Sequence, residues 1–528
     1  VPIEPPNPRT SEPSNLRTPE PSNLEPSNPR TLKPRKMKRL FFLTLSNLFL
    51  LAHLFAQDFP GGLILDDENT YNQTQRLDAQ INSKADLPLS INLEGFCPEV
   101  RHQGDIYSCV GWAVGYAGMT IQRAIHNRCT DRQLINENAH SALFVFNQVK
   151  QDCAKGARLT DALRFLKERG DCLAKEFDFD VNDCQKAPAP NLAQNATRFA
   201  VGDYLTLFES DASFEIKVKQ VKNALASFKA VIVGMSVRRN FYNLQNAKFW
   251  WPEIGNTTPA GGHAMVVIGY DDRVGAFRLF NSWGQNWGDK GYIWVKYENF
   301  AQFCKYAYII QLNNTQSGMQ AGSQNQVTET RPLTQLRGAF GFQHFTGYDN
   351  YSNQAQFEID SVRLQNGRYV LNKTDWPIGQ LFQLQVSTLK AEEYLYVLSI
   401  DAQRQIHVHF PRQSALNDKF AGQNESALVL NQGSTLLVPG PNKALKIANP
   451  GTDRLIVLYS QRPINDLKGL AQALAQYQGD FWQHLLRTLN RHAIPPSDIR
   501  YYPRKMGFEA STRSEGYIVP LLLEVEAK

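Results

Sequence analysis

A thiol, an imidazole and a side-chain amide stand in this chain at Cys109, His263 and Asn281, with a second amide at Gln103 six residues before the thiol. Those groups suffice for acyl transfer. A cysteine nucleophile needs a base to take or hold its proton. The base needs a third group to fix its ring, and an asparagine carbonyl can do so. A tetrahedral oxyanion needs N–H donors, here the Cys109 backbone and the Gln103 amide. Taken singly, each residue has an ordinary structural explanation: a buried thiol, a core histidine, turn-forming Asn-Ser and Trp-Gly pairs. The combination is what points to chemistry.

Each group must be held by an element. Val110, Ala113, Val114, Ala117, Ile121, Ala124 and Ile125 recur at three- and four-residue steps, the period of a helix with one buried face. Gly111, Gly115 and Gly118 recur at similar steps. Each interior glycine costs ~1 kcal/mol against alanine, so a close-packed neighbour is expected there. Ser108 is the candidate N-cap, which puts Cys109 in the first turn, where the helix dipole and free N–H groups favour a thiolate. Further helices are predicted over 134–150, 159–170 and 214–228, with a loop over 178–200 between them. Strands are predicted over 230–237, 261–270, 277–281 and 292–297; His263 opens the second and Asn281 closes the third. A helical half followed by a strand-rich half predicts an α+β fold of two packed subdomains with a cleft between them.

Four segments then carry a resemblance: Gln103-Gly104, Ser108-Cys109 opening a helix, Gly262-His263-Ala264 opening a strand, and Asn281-Ser282-Trp283-Gly284 with Trp287-Gly288 and Gly291-Tyr292 beyond. In this order, with 154 residues from position 109 to position 263, residues 87–312 resemble the papain-like cysteine peptidases. The resemblance implies a papain-like fold and hydrolysis of peptide bonds, as an endopeptidase or exopeptidase. It implies Cys109 as nucleophile, His263 as general acid/base, Asn281 as the group orienting His263, and Gln103 as oxyanion donor. Trp283 would shield the Asn281–His263 hydrogen bond beside the substrate. Cys153-Ala154-Lys155-Gly156 resembles the family's glycine turn, where Gly156 would offer backbone groups to an extended substrate. The implied partner is a protein or peptide substrate, and no cofactor is implied.

The departures are specific. The family's half-cystine position before the nucleophile holds Ile106, and Val110 follows the nucleophile in place of tryptophan. One familiar bridge is therefore absent or rerouted, for instance through Cys97. With Cys109 free, six cysteines remain (97, 129, 153, 172, 184 and 304), enough for up to three disulfides. Their spacing does not resemble a zinc site. Residues 57–86 form a short polar lead-in, too short for the family's helical prodomain, so any latency must work differently.

The amino end reads as a targeting region. Residues 1–36 hold Glu-Pro-Ser-Asn three times, a low-complexity extension that cannot bury a core. Met37-Lys38-Arg39, the apolar run 40–55 and Ala56 read as a signal peptide at 37–56, with Met37 as the start and 1–36 lying upstream of it. Export to a bacterial periplasm or exterior follows. The net charge of +6 is concentrated here: eight Lys/Arg against four Glu in residues 1–56 leave about +2 for the rest. That balance argues against nucleic acid, and no later stretch is long and apolar enough to hold the mature chain in a bilayer.

Residues 313–336 read as a linker, rich in Gln, Asn, Thr, Gly and Ser. Beyond them short strand patterns recur, at 356–364, 381–389, 393–400, 405–410, 434–438, 443–447 and 454–460. Helical patterns follow at 466–478 and 480–492, and a last strand at 518–525. That spacing predicts a mainly-β sandwich with terminal helices over 337–528, resembling a bacterial accessory domain of unassigned function. It would bind another protein or a cell-surface component. His407 and His409 share a strand face, read as solvated rather than metal-binding. Two other readings are a catalytically silent papain-like binding protein, against which the intact Cys, His, Asn and Gln argue, and a different Cys-His acyl transferase or amidase, against which the Asn-Ser-Trp-Gly run argues.

Overall fold

A computed structural model describes residues 61–78, 81, 86–177, 183–255, 260–313, 333–352 and 354–528. The low-complexity extension and the signal peptide lie outside these residues, as does most of the linker.

The thiol-bearing helix runs from Cys109 to His126 as Cys109–Gly111, a π-helical Trp112–Met119 and Thr120–His126. The expected helix is there, but it is buried nearly all round rather than on one face. The glycines explain how it fits. A Cβ on Gly111 would lie 2.2 Å from Ala142 O, and one on Gly115 would lie 2.7 Å from Ser141 O. A neighbouring helix, Ala142–Val149, therefore sits almost against its backbone. The single helix predicted over 134–150 is broken. Arg132–Glu137 ends before His140, and Ser141 starts Ala142–Val149 by accepting from Phe144 N–H at 3.1 Å. Ser141 is of a residue type that caps helices, yet it falls inside a pattern whose apolar spacing continues across it. Leu159–Arg169 ends at Gly170 (φ +79°) as expected. The stretch predicted as loop holds a helix at Pro190–Asn195, where Pro190 sits in the first turn, the place where its missing N–H costs nothing.

Among the described residues the second half is an eight-stranded sheet. Its central order is Asp203–Thr206, Cys304–Gln311, Val231–Val237, Gly261–Asp271, Ala276–Phe280 and Tyr292–Lys296, with Phe249–Trp250 parallel at one edge. The strand Gly261–Asp271 packs on the start of the Cys109 helix, so the helical and strand-rich halves meet there.

The C-terminal region is a sandwich of two seven-stranded sheets among the described residues. Strands Glu393–Ile400, Gly451–Ser460 and Ile518–Ala527 lie side by side in one sheet. Their alternation splits the side chains. Leu395, Val397, Val457 and Leu523 face the inter-sheet core with Phe342 and Leu384 of the other sheet. Tyr394, Tyr396, Leu398, Ile456 and Leu458 face the opposite way, into a cluster that includes Leu474 and Leu485 of helices Leu467–Ala475 and Phe481–Leu489. A sheet covered on both faces reads as a continuous apolar run, which is why Tyr394-Leu395-Tyr396-Val397-Leu398 shows little polar alternation. The long strand Thr334–Tyr348 begins inside the stretch read as linker. Its opening residues Thr334-Gln335 are polar, so nothing in composition marked the start.

The two domains are bonded together. Lys229 Nζ pairs with Glu392 Oε1 at 2.7 Å, and Ser227 Oγ donates to Asn431 Oδ1.

Candidate active site

The site is assembled by pairing distant backbone. Gln103 N–H donates to Ser282 O at 2.8 Å, Gly284 N–H donates to Arg101 O at 3.1 Å, and His102 bridges Trp283. This short ladder brings the Gln103 turn alongside the Asn281-Ser282-Trp283 turn. The Ser282 hydroxyl donates to Gln103 Oε1 at 2.7 Å. With its oxygen held, the amide turns its nitrogen inward, donating to Ile106 O at 3.1 Å and Gly61 O at 3.4 Å.

His263 and Asn281 meet directly, with 2.6 Å between His263 Nε2 and Asn281 Oδ1. Both sit on adjacent, paired strands or just beyond them, since Val266 pairs with Phe280. Asn281 Oδ1 also accepts from Ser282 N–H at 2.8 Å, which fixes the amide. The Trp283 ring stacks on His263 at 4.2 Å and 22°. Tyr242 stacks on Trp283 at 5.3 Å, while Phe241 and Trp287 pack edge-on. This aromatic wall excludes water from the histidine–asparagine bond and leaves His263 Nδ1 buried without a hydrogen-bond partner.

Cys109 is fully buried in the first turn of its helix. The backbone N–H groups of Ala264, Val110 and Cys109 all favour its thiolate, as the helix-start argument requires. Ala264 follows His263, so the thiol lies beside the histidine's own strand. Burial nevertheless outweighs the N–H groups and pushes the thiol up to about 12. Burial likewise pushes His263 down to about 4, against the opposing pull of Asn281. Ser108 occupies the position before the helix, yet its side chain makes no capping hydrogen bond. The expectation of a hydroxyl cap is thus corrected, because Ser108 sits at φ −99°, ψ 14° rather than in the extended conformation from which a cap hydroxyl reaches the first turn.

Gly156 does not offer its backbone to an extended strand. Its N–H donates to Asp152 O at 3.2 Å and its carbonyl accepts from Gln151 N–H at 3.0 Å, both inside its own turn. The pairing falls one residue on, at Ala157, which makes a parallel bridge with Leu63. Ala157 lacks any motif, so only the geometry identifies it. Of the cysteines, Cys153 and Cys184 form a disulfide, while Cys97, Cys129, Cys172 and Cys304 are buried free thiols like Cys109. Of the up to three bridges the cysteine count allows, one forms, and Cys97 takes part in no rerouted bridge. In the C-terminal domain His409 Nε2 lies 2.7 Å from Ser399 Oγ, a hydroxyl partner within the sheet.

Residues 91–311 match the family model for papain family cysteine protease, and residues 375–463 match a domain of unknown function, DUF4384. Among curated proteins, the chain is similar to an uncharacterized peptidase C1-like protein, L477, of Acanthamoeba polyphaga mimivirus. The two are 25% identical over 45% of this chain and 78% of that protein. It is also similar to Peptidase 1 of Dermatophagoides farinae, at 22% over 44% of this chain and 68% of that protein. Among solved structures it is similar to xylellain, a cysteine protease from Xylella fastidiosa, with 24% identity, a TM-score of 0.41, and coverage of 48% of this chain and 96% of that one. Residues 91–311 are a domain of the papain family of cysteine peptidases, joined to a β-rich domain of unknown function.

Proposed function

We propose that this protein is an exported peptidase that cleaves peptide bonds through Cys109, His263 and Asn281. The observation that carries the reading is the 2.6 Å contact between His263 Nε2 and Asn281 Oδ1 beneath Trp283. That bond places the Nε2 proton on the asparagine side and leaves Nδ1 bare as a base. Nδ1 accepts the thiol proton as Sγ attacks the substrate carbonyl. The Gln103 amide, aimed by Ser282, and the Cys109 N–H stabilise the resulting oxyanion. His263 then returns the proton to the leaving amine, and the acyl group stays on Sγ. Water, deprotonated by His263, releases the acid and restores the thiol. The Cys153–Cys184 disulfide is in keeping with an oxidising compartment outside the cytosol, periplasmic or extracellular.

The test is hydrolysis of a generic fluorogenic peptide by the wild type, Cys109→Ala and His263→Ala. The expected loss is at least about 10³-fold in each variant, with the unfolding midpoint near wild type. Wild-type turnover in either variant overturns the assignment of that residue.

A further inference from the structure

The groove that a substrate must enter is filled by the chain's own residues 61–64. Ala157 N–H donates to Gly62 O at 3.0 Å, and Ile64 N–H donates to Ala157 O at 2.9 Å. From the opposite wall, Gly262 O accepts from Leu63 N–H at 3.2 Å. Gly61 O accepts from Gln103 Nε2 at 3.4 Å, so a carbonyl of the chain already occupies the oxyanion donor. Cys109, His263 and Gln103 are all fully buried beneath it.

The fit depends on absent side chains. A Cβ on Gly62, whose φ is +104°, would lie 2.0 Å from Tyr107 O; one on Gly61 would lie 2.6 Å from Gly262 O. The walls are pared in the same way. A Cβ on Gly156 would meet Gly62 O at 1.9 Å, and one on Gly262 would meet Leu63 O at 2.4 Å. Four glycines therefore let three lengths of backbone lie in contact, and Leu63 is the buried anchor between them.

The same segment continues to the other domain. Helix Glu68–Gln73 is held by the buried Tyr71, whose hydroxyl donates to Phe208 O at 2.8 Å. Beyond it, Arg76 N–H donates to Asn424 O at 2.9 Å and Ser426 N–H donates to Arg76 O at 2.8 Å. Asn424 Nδ2 also donates to Gln73 O, and Arg412 pairs with Asp78. Arg412 simultaneously holds Glu425 at 2.7 Å. Asp78 and Glu425 are both buried, so Arg412 is the cation between two carboxylates. Removing it takes from both buried carboxylates the cation they share.

Residues 61–78 lie as a strap over the groove, and we propose that the C-terminal domain, through Arg412 and residues 424–426, is the latch that holds this strap in place. This rests on the peptidase reading for its consequence, though the opening itself is measured independently. The strap and a substrate need the same groove, so the competent fraction of the protein is the fraction with the strap out. Weakening the far anchor raises that fraction without touching the groove.

The experiment is the rate of iodoacetamide alkylation at Cys109, assigned by peptide mapping, in wild type, Gly62→Val, Arg412→Ala and Asp78→Asn. Peptide hydrolysis is followed in parallel, and amide exchange at Leu63, Ile64 and Ala157 guards against loss of fold. Gly62→Val is expected to raise alkylation at least about tenfold, and the two latch variants several-fold, with exchange faster only in the strap and its partners. Wild-type alkylation in Gly62→Val overturns the strap. Fast alkylation in Gly62→Val with wild-type rates in both latch variants overturns the latch. Exchange that quickens throughout the peptidase domain overturns both, since the strap would then be part of the core. Fast alkylation with no hydrolysis overturns the peptidase reading and leaves the strap standing.

Discussion

The peptidase domain and the sandwich both bury polar side chains, and they use them differently. In the sandwich, Gln383 donates to Gly440 O at 3.0 Å and Lys443 O at 2.7 Å, and the Tyr459 hydroxyl donates to Ala339 O at 2.7 Å. These bonds staple loops and sheets, and each partner is main chain. In the peptidase domain, Gln103, Ser282, Asn281 and His263 bond chiefly to one another around one thiol. A polar group satisfied by backbone specifies shape, whereas side chains linked to one another beside a thiol are the arrangement the proposed reaction needs. The contrast has an internal control. His140 lies 3.3 Å from Asp171 and 2.9 Å from Arg123, fully buried in the helical half, yet no thiol is among these partners. His140 thus has a buried ring and a third group but lacks the thiol that the proposed reaction needs.

Four variants break or sharpen that contrast. The largest effect is expected from Leu395→Ala, which empties a fully buried site between the sandwich sheets and should cost about 2–5 kcal/mol by denaturant unfolding. Turnover of the folded fraction should stay unchanged. Gln103→Ala should reverse that pattern, lowering kcat by about 10²–10³ with little loss of stability. Loss of both together in either variant would erase the distinction between the domains.

The third effect is one of pH. Burial pushes the Glu393 carboxyl up to about 8, while its oxygen accepts from Arg337 N–H at 2.9 Å. The folded state therefore keeps a proton that the unfolded state releases above about 4.5. Stability from this group is full below that value and falls as pH rises to about 8. His263 acts in the opposite sense. Its folded value of about 4 lies below the unfolded 6.5, so its contribution is present above 6.5 and lost as pH falls to about 4. Glu393→Gln should remove the alkaline loss, of order a few kcal/mol, and leave the acid limb in place. An unchanged pH–stability profile would contradict it. The smallest effect is expected from Ser282→Ala, which frees the Gln103 amide to turn. About 1 kcal/mol, or fivefold in kcat, is the expected loss, with KM nearly unaffected.

What the sequence disclosed follows the physics of each element. Cys109, His263 and Asn281 stood out as candidates because a thiol, an imidazole and an amide at element starts and ends are rare in that combination, and the structure brings His263 and Asn281 into contact. The strand Glu393–Ile400 was legible to the residue because a sheet buried on both faces leaves an uninterrupted apolar run. Ala157 was not, because its contribution is an N–H and a carbonyl that every residue possesses. The strap was half visible: Gly61-Gly62 ahead of Leu63-Ile64-Leu65 breaks an otherwise polar lead-in, but nothing local says which groove it fills. The balance of effects on the thiol is hidden for a related reason. A helix start favours thiolate, and only the packing overhead shows that burial wins at Cys109.

The central claim is that residue 109 reacts because residue 263 activates it. The direct measurement is the rate at which a peptidyl epoxide labels the thiol, read as the adduct mapped to Cys109, in Gly62→Val and in Gly62→Val with His263→Ala. The account predicts a single adduct at Cys109 that forms at least about 100-fold more slowly without the imidazole. Equal rates in the two proteins, or an adduct on another cysteine, would contradict it.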